Sequence, residues 1–286
     1  MRETLAIDIA TELAEGFALP PAGIPASILA DIVLPESERA FHARHAADRF
    51  DDQVLPVISS AHLACGLHSG DPLMIQRLVP LLIAQGVQIG AHPSYPDVFN
   101  FGQDRIPMTR DELVAVLLYQ LGALQGVLAA HGERVRHVKC HGALYFDIAE
   151  EAWACDCLIA AAKAFDPAIT LVLPAGTPSV AQARAAGCAV VEEGYADRGY
   201  GTDGRILPRH HPKALIVSAE AAARQVIGMA RDAQVTADDG STVPLSARTF
   251  CLHSDPPSAG EFARAIVEAV RRDGIDIKPI HALTAE

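Results

Sequence analysis

PVISSAHLACGLHSGDPLMIQRLVPLLIAQGVQIGA, residues 56–91, holds a strand, a loop, a helix and a second strand in that order. Pro56 to Ala64 is a short apolar run of strand length, and it ends in the polar turn His68-Ser69-Gly70-Asp71. Pro72 to Gln85 then carries apolar residues at helical spacing, and Val87 to Ala91 is strand-like again. Two strands joined through a helix must run parallel, because a hairpin turn is the connection that would reverse the chain.

The same unit recurs outward in both directions. Further strand-like segments lie at Leu5 to Ala10, His137 to Cys140, Ile169 to Leu173, Ala189 to Glu193, Thr249 to Leu252 and Ile275 to Ile280. Helical patterns lie between most of them, at Arg110 to Ala130, Ala149 to Phe165, Pro178 to Ala186, Ala219 to Ala233 and Ala259 to Arg272. Thr109 with Glu112, and Ser258 with Glu261, have the spacing of reciprocal helix caps, and Gly274 stands where a left-handed residue ends a helix. Seven or eight β-then-α units fit a closed or nearly closed α/β barrel better than an open doubly wound sheet. No glycine-rich dinucleotide turn follows the first strand, and no Walker-type phosphate loop is present. The chain therefore reads as a single barrel domain over 1–286, with an elaborated, proline-rich loop at 19–53 and a second interruption from Asp197 to Pro212.

A parallel barrel delivers strand ends to one mouth, so polar residues far apart in sequence converge there. Asp8 lies in the first strand, and His68 and Asp71 follow the second. His92 ends the third, Lys139 and His141 end the fourth, Asp197 and Arg198 follow the sixth, and His253 and Asp255 end the seventh. One strand-end histidine is as often structural as chemical; the ensemble points to a catalytic or binding mouth.

Composition narrows the rest. A net charge of -12 with no basic cluster argues against nucleic acid. Six cysteines inside apolar runs read as reduced thiols, and Cys155 and Cys157, two apart on a helix, point to different faces and so to packing rather than metal. No apolar run is long enough to span a bilayer and no secretory signal pattern opens the chain, so the cytoplasm is the expected location.

Ser59-Ser60-Ala61-His62-Leu63-Ala64-Cys65-Gly66-Leu67-His68-Ser69-Gly70-Asp71-Pro72 resembles the S-S-A-N-x-A-C-G-x-H-x-G-D-P signature of the LamB/YcsF family. Similar matches follow in order at Ile89 to Asp97, Tyr119 to Gln125, His137 to Tyr145, Ala196 to Arg198, Pro208-Arg209 and Cys251 to Asp255, so the resemblance spans nearly the whole chain. It implies an irregular (β/α) barrel of the glycoside hydrolase/deacetylase type with mostly parallel strands. It also implies a subunit of ATP-dependent 5-oxoprolinase, which opens 5-oxo-L-proline or a related lactam to L-glutamate together with subunits B and C. The catalytic candidates are then Asp8, Glu12, His68, Asp71, His92, Lys139 and His141. Tyr145, Asp197, Arg198, Arg209, His253 and Asp255 become candidates for substrate or phosphate binding. ATP, bound here or shared with the partners, is the implied cofactor; a divalent metal at His68, His92 and His141, and a homo-oligomer, stay open.

Several positions depart from the family pattern. Its usual opening D-L-N-x-D-x-G-E reads here Asp8-Ile9-Ala10-Thr11-Glu12-Leu13-Ala14-Glu15, so an amide is lost, a carboxylate gains a methylene, and Ala14 replaces a glycine free to take positive φ. Gln103 and Asp104 stand in place of arginines, Cys140 in place of a proline, Phe146 in place of an asparagine, and Pro256 in place of a glycine. Two alternatives follow: a stand-alone metal-dependent amidase or deacetylase, and a catalytically degenerate barrel that regulates or scaffolds a complex.

Overall fold

A computed structural model of the chain describes residues 5–15, 54–253 and 259–284. The loop expected at 19–53, Ser258 and Asp255 lie outside or largely outside these residues.

Seven parallel strands close on themselves. They are β1 (Ala6–Leu13), β2 (Ser60–Ala64), β3 (Gln88–His92), β4 (His137–Val138), β5 (Thr170–Pro174), β6 (Ala189–Tyr195) and a strand Thr249–Cys251, which pairs with both β6 and β1. That last strand is β9, because a small antiparallel hairpin, β7 (Gln234–Thr236) and β8 (Thr242–Pro244), precedes it. The expected eighth strand shrinks to β10 (Asp276–Ile277), paired only beside Ala6 and Ile7 of β1, so it extends the base and takes no place in the closed wall.

The helices form the outer layer: α1 (Pro72–Ala84), α2 (Arg110–Ala129), α3 (Gly142–Glu150), α4 (Ala152–Phe165), α5 (Pro178–Ala185), α6 (Ala219–Ile227), α7 (Ala259–Arg272) and α8 (Ile280–Leu283). Sequence sets their ends. Asp71 caps α1 by accepting from the N–H groups of Leu73 and Met74, with Pro72 in the first turn. Thr109 and Glu112 form the reciprocal cap of α2, and Gly274, at φ 76°, follows α7. The helix expected over 219–233 ends instead at Ile227 and passes into a π turn, Gly228–Asp232, closed by Ala233 in the left-handed region at φ 51°.

Leu113, Leu117, Leu121, Leu124 and Leu128 make one buried stripe along α2, packed with Ala154, Leu158 and Ala161 of α4 in a single apolar layer around the barrel. By length and composition α2 could cross a membrane, contrary to the expectation that no apolar run is long enough; its leucine stripe is buried on the barrel and it forms the crossover from β3 to β4. At the base, Ile280 of α8 packs on Val172 and Val191, its N–H donates to Ser60 Oγ at 3.2 Å, and the His281 N–H donates to Gln88 Oε1 at 3.1 Å. Barrel interiors are usually filled by branched apolar side chains. This one is polar: Asp8, His62, His92, His137, Lys139 and Glu193 are all buried within it or at its upper end.

Candidate functional site

Glu12 is the last inward-facing residue of β1, and its Oε1 meets Lys139 Nζ at 2.8 Å across the lumen. The same ammonium lies 2.8 Å from Glu193 Oε1 of β6, whose Oε2 accepts from the Tyr145 hydroxyl at 2.6 Å. Lys139 also sits over the rings of Tyr145 and Tyr195, at 5.5 and 5.0 Å from their centroids. Burial acts to neutralise Lys139, but its neighbours Cys251, Glu12 and Glu193 outweigh it and hold the pKa well above the usual lysine value. Burial also acts to raise Glu12, yet the charge of Lys139, and then His92, holds that carboxyl well below its ordinary range. Glu193 goes the other way: burial raises it more than Lys139 lowers it. The mouth thus carries a fixed cation between a firmly ionised carboxylate and one that protonates more readily.

Beside this triad the strand ends of β1 to β4 bring four groups together. His92 Nε2 is 3.6 Å from Glu12 Oε1 and 3.0 Å from His141 Nδ1. The His68 and His141 rings stack in parallel with centroids 3.9 Å apart. Glu15 Oε1 lies 3.4 Å from His141 Nδ1 and 3.9 Å from both His68 Nε2 and His92 Nε2. Burial, and then the neighbouring His92, push His141 down to about 3. Among the described residues, the ligand atoms of Glu15, His68, His92 and His141 lie within 4.8 Å of one another, close enough to share one metal ion.

A cavity of about 470 Å³ opens above, lined by Glu12, His141, Tyr145, Tyr195, Arg209 and His253 among others. His253 donates to Asp197 Oδ2 from its backbone N–H at 3.0 Å, and its ring Nδ1 lies 2.8 Å from the same oxygen. Burial acts to lower His253, but Asp197 raises it by charge and hydrogen bonding, and Arg209 stands 3.4 Å from its Nε2. The rim therefore sets the Arg209 guanidinium beside the His253–Asp197 pair. Arg198 lines the cavity too, but its Nε and Nη2 donate to the carbonyls of Ala214 and Leu207, which ties down the 199–214 segment.

Of the residues expected at a catalytic mouth, the structure groups Glu12, His68, His92, Lys139 and His141, with Tyr145, Asp197, Arg198, Arg209 and His253 around the cavity. It separates two. Asp8 stands four residues before Glu12, roughly 13 Å further down the strand, where the hydroxyls of Ser59 and Thr249 donate to it at 2.7 and 2.6 Å. Asp71 spends its Oδ1 on the α1 cap, at 2.8 and 3.0 Å from two backbone nitrogens. Asp255 lies outside the described residues. Sequence reasoning missed Glu15, Glu193 and Tyr195, and beneath them the buried pair His62 and His137, whose Nδ1 and Nε2 are 3.1 Å apart. The available signal was alternation: Glu193 and Tyr195 share one face of β6, and His62 interrupts the apolar residues Ala61, Leu63 and Ala64 of β2.

The chain is 43% identical over 227 residues to the 5-oxoprolinase A subunit of Methylococcus capsulatus, covering 79% of this chain and 87% of that one. The 5-oxoprolinase A subunit of Acinetobacter baumannii is 43% identical over 229 residues, covering 80% and 90%. The crystal structure of a lactam utilization protein from Thermus thermophilus superposes with a TM-score of 0.81 at 34% identity, covering 96% of this chain and all of that one. With a LamB/YcsF family model matched over residues 38–285 as well, the chain belongs to the LamB/YcsF family.

Proposed function

We propose that this chain is the A-type subunit of an ATP-dependent 5-oxoprolinase and that its barrel mouth is where 5-oxo-L-proline, or a closely related lactam, is opened to L-glutamate. One observation carries the reading: a cavity of about 470 Å³ has the Arg209 guanidinium beside the His253–Asp197 pair on its rim and an ionised carboxylate, Glu12, on its floor. Such a space suits a small ring bearing a carboxylate, with Arg209 and His253 holding the carboxylate and Tyr145 and Tyr195 against the ring.

A lactam is a resonance-stabilised amide, and ATP supplies what water alone does not. Transfer of the γ-phosphoryl group to the lactam oxygen makes the ring carbon electrophilic. One water then adds, the C–N bond breaks, and the nitrogen leaves with its electron pair and gains a proton. A second water releases phosphate from the acyl phosphate, leaving L-glutamate, ADP and inorganic phosphate. Glu12, held ionised by Lys139, is placed to accept a hydrogen bond from the attacking water. Subunits B and C are the partners of this reading, they supply or share the ATP site, and the cytoplasm is where ATP is available.

Glutamate release from 5-oxo-L-proline with ATP and both partner subunits tests the proposal. Arg209→Met should raise KM at least tenfold while leaving kcat within a few-fold. Absence of ATP-dependent release from the complete complex would end this reading. A second reading, a stand-alone metal-dependent amidase, is favoured by the cluster of three histidines with Glu15; it requires turnover by the isolated chain without ATP.

A further inference from the structure

Hydrogen bonds around the histidine cluster decide which ring nitrogens carry protons. His92 Nδ1 lies 2.9 Å from the Lys139 carbonyl and His141 Nε2 lies 2.8 Å from the Phe101 carbonyl. A carbonyl only accepts, so both nitrogens are N–H donors. His68 Nδ1 is 2.8 Å from Ser94 Oγ, and that hydroxyl gives its own hydrogen to the Tyr95 carbonyl at 2.7 Å, so Nδ1 is again the donor. A neutral imidazole has one N–H. Those donors leave the second nitrogen of each ring, Nε2 of His68 and His92 and Nδ1 of His141, turned toward the others and toward Glu15, where a divalent ion would take their lone pairs by displacing any proton held there, such as one shared in the 3.0 Å His92–His141 contact.

We infer that Nε2 of His68, Nε2 of His92, Nδ1 of His141 and Oε1 of Glu15 form a binding site for one divalent transition-metal ion of the zinc or cobalt kind. Neighbouring atoms of this set stand 3.0 to 3.9 Å apart, and every pair lies within 4.8 Å. Four donors placed tetrahedrally at 2.0–2.1 Å from a zinc ion stand about 3.3 Å apart. Three imidazoles with one carboxylate suit zinc or cobalt, whereas magnesium and calcium prefer oxygen alone. The carbonyls of Lys139 and Phe101 and the hydroxyl of Ser94 orient the rings from behind, as outer partners do in metal sites. The inference stands on this geometry and needs no particular substrate.

Titration of the chelator-treated full chain with Co²⁺ tests it. One equivalent should bind, with the visible absorption of a four- or five-coordinate nitrogen-ligated ion, and Zn²⁺ should displace it. His92→Ala and His141→Ala should each weaken binding at least a hundredfold and Ser94→Ala by about ten- to a hundredfold. His131→Ala, on the exposed turn after α2, should leave it unchanged. The wild-type spectrum decides even where a variant fails to fold: no saturable binding, or binding equally tight in His92→Ala, overturns the site. Binding without lactam turnover keeps the site and removes the lactam reading. Full-rate lactam turnover by chain that takes up no Co²⁺ does the reverse.

Discussion

Ala14 sits at φ 59°, in the left-handed region that an alanine side chain opposes, directly between the end of β1 and Glu15. The conformation is what turns Glu15 toward His68, His92 and His141, so the strain belongs to the site's geometry. Ala14→Gly should relieve roughly 1–2 kcal/mol of strain. Glycine's greater freedom in the unfolded chain offsets part of that, leaving a net gain of about 0.5–1 kcal/mol. A shift of the urea midpoint upward at unchanged slope would show it; a downward shift would refute it. Asp8 makes a second prediction at this scale. Burial raises its pKa to about 6, against the opposing hydrogen bonds of Thr249 and Ser59. The folded protein therefore binds this proton more tightly than the unfolded chain, whose aspartates titrate near 3.8. The stability contributed is fully present below about pH 4 and is lost as pH rises through about 6, a change of about 3 kcal/mol. The unfolding free energy of Asp8→Asn minus that of wild type should grow by that amount between pH 4 and pH 8; a flat difference would mean Asp8 titrates normally.

β3 shows how tightly an element fits its neighbour. A Cβ on Gly90 would stand 2.1 Å from His137 Cδ2, and the His137 ring, wholly buried, also contacts His62. Gly90→Ala should cost about 3 kcal/mol. Gly122→Ala on α2, where a Cβ meets nothing within 4 Å, should instead gain about 0.5–1 kcal/mol. Thermal unfolding of the pair tests both, since opposite signs are required. The elements themselves were largely legible in the sequence, because β/α alternation and the cap at Thr109 depend on local chemistry alone, whereas Asp71, expected as a catalytic acid, caps α1. α3 escaped because Gly142, at φ 56°, opens it with no side-chain cap, and its pattern runs straight into α4. The hairpin β7 and β8 escaped because three-residue strands carry too little alternation to notice. Strand length accounts for the largest misplacement at the site. With β1 read as ending at Ala10, Asp8 looked close to the mouth; the strand continues to Leu13, which carries Glu12 and Glu15 there and leaves Asp8 near the base. His68, His92 and His141 were legible because each stands at or just after a strand end, while Glu193 lies inside β6 next to Glu192, where local sequence does not tell the inward acid from the outward one.

Only the closed barrel puts Glu12 of β1, Lys139 after β4 and Glu193 of β6 around a single point, since no two of those strands are neighbours except through the lumen. The arrangement is electrostatically one-sided, with one ammonium serving two carboxylates away from water. Taking away the cation strands both acids, and removal of one partner from a buried ion pair typically costs about 3–5 kcal/mol. Lys139→Met should therefore destabilise the whole molecule by about that amount at pH 8. The deficit should also depend on pH. Without Lys139, burial lifts the carboxyls of Glu12 and Glu193 above their ordinary value, so the variant's stability is retained at low pH and lost as pH rises through the lifted values. Urea unfolding at pH 5 and pH 8 should show a small deficit at the first and the large one at the second. Adding Glu193→Gln, which removes one stranded charge, should recover part of the loss at pH 8. A deficit equal at both pH values, and untouched by the second substitution, would mean that Lys139 acts through its packing on Tyr145 and Tyr195 rather than through the charge the barrel gathers around it.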